Sequence, residues 1–359
     1  VYDGDTAQEE RRLIRSNANV VLTNPDMLHA SLLPDHAHWA NFFLRLRFVV
    51  VDEAHIARGV FGTHVSMILR RLRRLVAHYG GEPQWVLASA TIGNPGELAE
   101  RLTGLPFTVV EHDASPSGEK VFALWNPPIV DDLSGARRSA LTDASQLVAD
   151  LVEHGVRTIA FARSRRGAEL LAEFAKQRVG AVDRDRIKAY RAGYLPEERR
   201  ELERALAEGD LLAMCSTNAL ELGIDIGSLD AAVLTGYPGT RASMWQQAGR
   251  AGRSSEGSLA VLIAYDDPLD QYLVAHPEDL FDRPPEACVI DPTNPFIVEP
   301  HLACAVREQP LTEDELEVFG PEGAAAAERM LEAGTLVRRG ALLHHPGRGA
   351  PHRGLDIRS

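Results

Sequence analysis

The 359-residue sequence has few cysteines, no long apolar run and a shortage of positive charge. Its three cysteines, Cys215, Cys288 and Cys304, are too few and too scattered for a disulfide framework, which favours a reducing, cytoplasmic setting. No apolar stretch approaches the roughly 20 residues that cross a bilayer. The 51 acidic residues outnumber the 38 Lys and Arg residues, and the net charge is −13. This charge argues against adhesion to nucleic acid by bulk charge, but it leaves a locally basic channel possible.

Short apolar runs alternate with helical patterns in the first part of the sequence, which is typical of a parallel α/β sheet. The strand candidates are residues 20–23, 48–51 and 85–88. Between the last two, apolar residues recur at helical spacing from Val65 to Val76. The opposite face of this predicted helix carries Arg70, Arg71, Arg73 and Arg74.

A second α/β run follows a stretch rich in Pro, Gly and Asp. Strands are predicted at residues 158–162, 211–215, 231–235 and 259–264, with helices at 167–177 and 196–208 between them. Two short helical stretches, 313–319 and 323–333, and a ribbon at 335–344 are compatible with a winged-helix module. We therefore predict an α/β fold with two doubly wound parallel-sheet lobes, the first of them incomplete. The predicted divisions are lobe 1 (1–125), a linker (126–136), lobe 2 (137–281) and an accessory region (282–359).

The stretch "VVVDEAH" places two carboxylates at the end of an apolar strand. Asp52 can hold Mg²⁺, because a hard cation prefers carboxylate and water oxygens. Glu53 can orient or deprotonate an attacking water, and His55 can report the state of the site to the next loop. That loop, "ASATI", offers the hydroxyls of Ser89 and Thr91. A lone Asp-Glu pair after a strand could equally be a solvated turn. The Ser-Ala-Thr motif that follows the next strand argues against this alternative.

The stretch "QQAGRAGR" supplies paired arginines. Arg250 and Arg253 are three residues apart, so on a helical turn both would face one way. Two guanidinium groups can neutralise the charge that develops on a transferred γ-phosphoryl group. Gly249 and Gly252 would let phosphates approach the backbone. The alternative is a pair of solvated salt bridges.

Small polar residues follow several predicted strands, where they could face a nucleic-acid backbone. Thr217 ends one strand within "STNALELGIDIG", and Gly223 and Asp225 lie further along the same stretch. Arg163 and Ser164 directly follow another strand. In the first lobe the matching position holds Thr23 and Asn24.

Taken in order, DEAH, SAT, "STNALELGID" and Q-x-x-G-R-x-G-R resemble the motifs of superfamily 2 helicases, which have two RecA-like lobes. The likeness covers roughly three quarters of the chain. "YDGDT" near the start, the stretch that begins at DEAH, and "NPFIVEPHLACAVREQPL" further resemble the mitomycin-repair-factor or YprA-like DNA helicases.

The resemblance implies a role for each motif residue. Asp52 and Glu53 would be the magnesium-holding and water-activating carboxylates, while His55, Ser89 and Thr91 would couple the ATP state to nucleic acid. Arg250 and Arg253 would reach the γ-phosphate across the cleft. Gln246, Gly223 and Asp225 would support the nucleotide. The residues expected to follow one strand of nucleic acid are Thr23, Asn24, Arg163, Ser164 and Thr217. The implied cofactors are ATP and Mg²⁺, and the implied partner is DNA, with 3′ to 5′ movement in repair.

The sequence departs from this family in its phosphate-binding loop. It contains no Gly-x-x-x-x-Gly-Lys-Ser/Thr phosphate loop, and "SGEK" lacks both the glycine spacing and the strand-to-helix setting. We therefore expect the sequence to be a piece of a longer protein, with low ATP turnover by itself and a first lobe less stable than the second. Two alternatives stay open: a nucleic-acid-binding module without ATPase activity, and a motor with another substrate, either an RNA helicase or a duplex translocase that separates no strands.

Overall fold

Helices and strands alternate along the computed structural model, which describes residues 1–4, 6–111, 118–191, 193–221, 227, 229–252, 257–347 and 349–358. The α-helices are α1 (Gln8–Asn17), α2 (Pro25–Met27), α3 (Ala40–Leu44), α4 (Gly59–His78), α5 (Pro95–Thr103), α6 (Ala140–Glu153), α7 (Arg165–Lys176), α8 (Pro196–Glu208), α9 (Arg241–Ala248), α10 (Pro268–Ala275), α11 (Glu278–Phe281), α12 (Pro295–Glu308) and α13 (Glu322–Glu332). The strands are β1 (Phe48–Val51), β2 (Gln84–Leu87), β3 (Lys120–Trp125), β4 (Ile129–Asp131), β5 (Ala136–Arg137), β6 (Thr158–Ala162), β7 (Ile187–Ala189), β8 (Ala213–Ser216), β9 (Ala231–Thr235), β10 (Ser258–Ile263), β11 (Leu311–Thr312), β12 (Val337–Arg339) and β13 (Leu342–His344).

Short turns complete the secondary structure. A π-helical turn spans Leu28–Leu32. The 3₁₀ turns are His36–Trp39, Ala54–Ile56, Arg184–Arg186, Asn218–Leu220, Asp314–Phe319 and Pro351–Gly354. No helix in the described ranges is both long enough and apolar enough to cross a membrane.

The chain forms two compact units whose bounds differ from the predicted ones. One unit combines Val1–Val110 with Ala287–Ser359, and the other is Glu111–Glu286. The boundary predicted at residue 125 is displaced because β3 pairs in parallel with β10 and so belongs to the second unit. The predicted linker lies in the same unit, where β4 and β5 form an antiparallel hairpin.

The second unit is built on a six-stranded parallel sheet with the order β3-β10-β9-β6-β8-β7. Every residue of β6 and of β9 is buried, and Ile159 lies opposite Ala232 in the register between them. Strands buried on both faces read as continuous apolar runs, which is why the sequence pattern located them. The predicted RecA-like architecture is confirmed for this lobe.

The first unit contains a two-stranded parallel sheet of β1 and β2. Val49 and Val51 are half-buried against the core, whereas 54% of Phe48 and 63% of Val50 is exposed on the other face. The strand predicted at residues 20–23 is wrong. That segment joins no sheet, although the Tyr2 amide donates a hydrogen bond to the Leu22 carbonyl oxygen.

Helix α4 is buried on nearly every side, including the face predicted to be arginine-rich. Only 5% of Arg70, 0% of Arg71 and 4% of Arg74 is exposed. Arg70 donates to the Val318 carbonyl oxygen, Arg71 pairs with the buried Glu308, and Arg74 donates to carbonyl oxygens at the end of α12. Because a buried guanidinium is costly unless its donors are satisfied, these bonds hold the C-terminal region onto α4.

The C-terminal region has the helix, helix, ribbon order that the sequence predicted. It comprises α12, the 3₁₀ turn Asp314–Phe319, α13 and an antiparallel sheet with the order β11-β13-β12. Val298, Phe319 and Leu343 share its apolar core with Met67 of α4. The winged-helix prediction is confirmed.

Candidate functional site

The turn after β1 carries a strained glutamate. Glu53 has a φ of +50°, and no other non-glycine residue in the described part of the chain has a positive φ. Its amide donates to Asp52 Oδ1 at 2.9 Å, and the next amide, of Ala54, donates to the Ala88 carbonyl oxygen at the end of β2. A left-handed conformation is unfavourable for a residue with a side chain and persists where surrounding contacts enforce it, often at functional sites.

His55 joins this turn to the Ser-Ala-Thr loop. Its ring is largely buried, and the Ala90 amide donates to Nδ1 at 3.2 Å. Ser89 Oγ lies 3.5 Å and Glu53 Oε2 lies 3.4 Å from the same nitrogen. Because Nδ1 accepts from Ala90, the neutral ring carries its proton on Nε2. The structure thus brings together His55, Ser89 and Glu53, and it leaves the side chain of Thr91, two residues after Ser89, exposed.

Asp52 offers a carboxylate of the kind that Mg²⁺ uses. The side chain is exposed, and one oxygen accepts the Glu53 amide. Among the described residues no group of three or more His, Cys, Asp or Glu side chains could hold a metal ion. A lone carboxylate still fits Mg²⁺, because this ion keeps several waters and is commonly bound by one or two carboxylates together with substrate phosphates.

Arg250 is buried, in contrast to the prediction of a phosphate-facing side chain on a helical turn. Helix α9 ends at Ala248, so Arg250 follows the helix, and only 6% of it is exposed. Its Nε donates to the Glu221 carbonyl oxygen at 3.0 Å, and Nη2 donates to the same oxygen. The turn after α9 is therefore attached to the segment after β8.

Glu221 is a residue that the sequence reasoning missed. It is buried, and its carboxylate accepts hydrogen bonds from Ser243 Oγ at 2.7 Å and Gln247 Nε2 at 2.9 Å. With the bonds from Arg250 to its carbonyl oxygen, Glu221 connects two motif segments of the second unit, "STNALELGID" and "QQAGRAGR". An acidic residue between Leu220 and Leu222 in an otherwise apolar stretch was the available signal.

Other predicted residues of this unit are only partly observed. Gly223, Asp225 and Arg253 lie outside the described residues. Gln246 is half-buried in the last turn of α9. Gly252 has a φ of +83°, and a Cβ there would lie 2.3 Å from Ser258 Oγ, so only glycine fits.

Ser164 and Asn24 cap helices. Ser164 is exposed at the start of α7, and its Oγ accepts the Gly167 amide at 3.0 Å. Asn24 Oδ1 accepts the Met27 amide at 2.8 Å, Thr23 beside it is exposed, and Thr217 is half-buried after β8. The remaining amides at the start of α7 form the kind of position that attracts phosphate.

Arg163 has a different environment from the predicted phosphate-facing one. Nη1 donates to Asp267 at 2.7 Å, Nη2 to Asp270 at 2.5 Å, and Nε to the Tyr237 carbonyl oxygen at 3.2 Å. The guanidinium also lies 4.5 Å from the Tyr265 ring centroid. Burial raises the pKa of the Asp270 carboxyl. Because all three guanidinium nitrogens have acceptors within the unit, Arg163 stabilises the loop after β10 in this structure.

Comparisons with known proteins agree with this arrangement. Residues 1–98 match the DEAD/DEAH box helicase family, residues 140–255 the helicase conserved C-terminal domain, and residues 290–359 the winged helix domain of the ATP-dependent helicase HRQ1. The chain therefore resembles the DEAD/DEAH box helicases of superfamily 2 over both of their motor domains. It resembles their YprA-like members, as the sequence motifs indicated.

Individual relatives show how much of such a helicase the chain represents. The uncharacterized ATP-dependent helicase YprA of Bacillus subtilis is 46% identical over 362 aligned residues, which cover 100% of this chain and 48% of YprA. The ATP-dependent helicase HRQ1 of Saccharomyces cerevisiae is 42% identical over 86% of this chain and 30% of HRQ1. The crystal structure of the helicase MrfA bound to DNA and AMPPNP has a TM-score of 0.93 and 45% identity over 100% of this chain and 50% of MrfA. The chain thus spans half or less of these relatives.

Proposed function

We propose that the chain carries the motor of an ATP-dependent DNA helicase or translocase. The turn after β1 is the observation that carries this proposal. Asp52 and the left-handed Glu53 stand side by side, and His55 is hydrogen-bonded to the Ser-Ala-Thr loop. Hydrolysis of a nucleoside triphosphate needs one group that holds the metal ion and one that positions the water, and these two carboxylates can supply both. Kinship with helicases named as ATP-dependent supports it.

The roles in the first unit follow from chemistry. ATP with Mg²⁺ would supply the phosphoryl group, and Asp52 would hold the metal through its exposed carboxylate. Glu53 would orient and deprotonate the attacking water as a general base. His55 would transmit changes at Glu53 to Ser89 and Thr91 through its bond to Ala90.

The roles in the second unit are revised from the sequence prediction. Arg250 would act indirectly, by holding the segment at Glu221 in place. The γ-phosphate role of Arg253 and the nucleotide roles of Gly223, Asp225 and Gln246 stay proposals from the motif. Ser164 and Thr217, with Thr23 and Asn24 of the first unit, would follow the backbone of one strand. Arg163 would have to exchange its acidic partners for phosphate to take the same role.

We choose DNA as the substrate because MrfA was solved with DNA and the chain is 45% identical to it. Movement from 3′ to 5′, a role in repair and a location in a bacterial cytoplasm belong to the same proposal. RNA is the competing substrate, because contacts to the phosphate backbone discriminate poorly between the two.

The test uses the full-length gene product. ATP hydrolysis is measured with no nucleic acid, with single-stranded DNA and with single-stranded RNA of the same sequence. Strand displacement is measured on duplexes with a 3′ or a 5′ single-stranded tail. The proposal predicts stimulation by DNA and displacement from the 3′-tailed duplex. Stimulation by RNA alone would establish the competing substrate.

A second candidate, a nucleic-acid-binding module without ATPase activity, describes the 359-residue chain taken alone. The absence of a glycine-rich phosphate loop from its sequence favours this reading. ATP hydrolysis by the chain and by the full-length gene product, measured side by side with DNA, separates the two. Hydrolysis by the full-length protein alone supports the helicase motor, whereas hydrolysis by neither supports the binding module.

A further inference from the structure

Residues 287–291, here called the return strap, bring the chain back into the first unit. Cys288 and Ile290 are buried in a small core with Ala54 of the DEAH turn (residues 52–55) and Ile92 of the Ser-Ala-Thr loop (residues 88–92). Between them, 67% of Val289 is exposed. This in-out alternation is that of an extended strand, yet the return strap belongs to no sheet. Its backbone groups therefore need partners elsewhere.

Those partners lie in the first turns of α4 and in the last turn of α5. The Gly59 amide donates to the Val289 carbonyl oxygen at 2.7 Å, and Arg101 Nη1 donates to the Ile290 carbonyl oxygen at 3.1 Å. The Asp291 amide donates to Thr63 Oγ1 at 3.0 Å. The approach is close, because a Cβ on Gly62 would lie 2.5 Å from Ile290 Cγ2.

Asn94 binds the return strap with both ends of its amide. The Cys288 amide donates to Asn94 Oδ1 at 2.8 Å, and Asn94 Nδ2 donates to the Cys288 carbonyl oxygen at 3.1 Å. The pair reproduces one rung of a β-ladder with a side chain in place of a strand. Asn94 follows Thr91 by three residues, so this rung attaches the Ser-Ala-Thr loop directly to the return strap.

Cys288 also contacts the DEAH turn. Its Sγ lies 3.5 Å from the His55 carbonyl oxygen and can donate to it. The ring of the same histidine accepts the Ala90 amide. Hydrogen bonds therefore run from Asn94 through Cys288 and His55 to Ala90, and the backbone between residues 90 and 94 closes the ring that joins the return strap to both loops.

We propose that the return strap sets the geometry of the DEAH and Ser-Ala-Thr loops, with Asn94 as the positioning residue. The catalytic part of this proposal rests on the function proposed above. The structural part, that the return strap keeps the two loops in place, does not depend on that function. Loss of the Asn94 rung lets the return strap move away from His55, and Glu53 then loses the surroundings that enforce its left-handed backbone. A small displacement of a positioned catalytic group raises the activation free energy of the reaction. The chemical step therefore slows more than nucleotide binding weakens.

The experiment compares Asn94→Ala with Asn126→Ala in the full-length gene product. Asn126 is a matched control, because its half-buried amide exchanges two hydrogen bonds with Gln271 in the second unit. Hydrogen exchange without nucleotide is followed at the amides of Ala54, Gly59 and Ala90. DNA-stimulated ATP hydrolysis gives kcat and KM for ATP in the same proteins.

Asn94→Ala should speed exchange at these three amides and lower kcat roughly tenfold, while KM changes by less than about threefold. Asn126→Ala should change neither. Unchanged exchange in Asn94→Ala would show that the return strap does not hold the loops, and faster exchange with unchanged kcat would show that its role is only structural. Either result overturns the proposal.

A further variant covers the case in which Asn94→Ala does not fold. Asn94→Asp keeps the acceptor for the Cys288 amide and loses the donor to its carbonyl oxygen, so it should change exchange and kcat in the same direction by a smaller factor. An Asn94→Asp protein equal to wild type in both measurements overturns the proposal as well. If wild type hydrolyses no ATP, the proposed function fails, while hydrogen exchange still decides whether the return strap holds the loops.

Discussion

The guanidinium of Arg250 donates to the backbone carbonyl oxygen of Glu221, and both residues are buried. An arginine in this position stabilises its own unit in addition to any part it plays in hydrolysis. Glu221 in turn holds α9 through Ser243 and Gln247. The segments "STNALELGID" and "QQAGRAGR" are therefore joined by hydrogen bonds that meet at Glu221.

Arg250→Ala should lower the free energy of unfolding by roughly 1–3 kcal/mol, because it leaves a buried carbonyl oxygen without its donors. Urea denaturation of the chain measures the change. The control is Arg157→Ala, which removes a half-exposed pair with Asp230 at 3.6 Å and should cost less than about 1 kcal/mol. Equal stability of Arg250→Ala and wild type would contradict the anchoring role.

Acidification should destabilise the first unit through a buried histidine cluster. Arg71 Nη1 lies 2.9 Å from His29 Nδ1 and 3.1 Å from His301 Nδ1, and His64 Nδ1 lies 3.0 Å from His301 Nε2. Burial, followed by the charge of Arg71, lowers the pKa of His29 to about 4 and that of His301 well below its ordinary value. Burial also lowers the pKa of His64 and of His352.

The direction of this effect follows from proton uptake. Below the ordinary histidine pKa of about 6.5, the unfolded chain binds protons that the folded histidine cluster does not bind. The free energy of unfolding therefore decreases as the pH is lowered from about 6.5 to about 4. Trp39 and Trp85 report on the first unit alone in a Trp125→Phe, Trp245→Phe background. His29→Gln should reduce the loss of stability between about pH 7.5 and pH 5.5, and an unchanged loss would contradict the assignment.

The first unit of the 359-residue chain should open more readily than the second. One face of the β1–β2 sheet leaves Phe48, Val50 and 40% of Val86 exposed, whereas β6 and β9 are buried on both faces. An exposed apolar sheet is also an aggregation hazard. Limited digestion with thermolysin should cut within β1 or β2 before it cuts within β6 or β9. Simultaneous cleavage of the two pairs would contradict this expectation.

The sequence predicted four of the six strands of the second sheet, β6, β8, β9 and β10, for a physical reason. A central parallel strand such as β9 is apolar throughout, so its pattern carries the whole signal. The apolar run at Val20–Leu22 looks similar but forms no strand, because pairing depends on a neighbour that the local sequence does not reveal. β3 was not predicted because the local sequence does not reveal its partner either. Its partner, β10, follows it by more than 130 residues.

The candidate site was predictable where neighbouring residues act together. The DEAH turn and the Ser-Ala-Thr loop are each short, and His55 contacts this loop through the Ala90 amide, whereas the sequence pointed to the hydroxyls of Ser89 and Thr91. The burial of Arg71, the acidic partners of Arg163 and the rung between Asn94 and Cys288 depend on residues far apart in the chain. Such contacts are set by tertiary packing, which a single sequence does not display.

The central claim is that Glu53 activates the attacking water, and one measurement tests it most directly. ATP binding and DNA-stimulated ATP hydrolysis are measured for the full-length gene product with Glu53→Gln, beside Glu100→Gln as an exposed control on α5. Loss of turnover by roughly 100-fold or more in Glu53→Gln, with ATP binding and the control unchanged, is the predicted result. Normal turnover in Glu53→Gln would contradict the account.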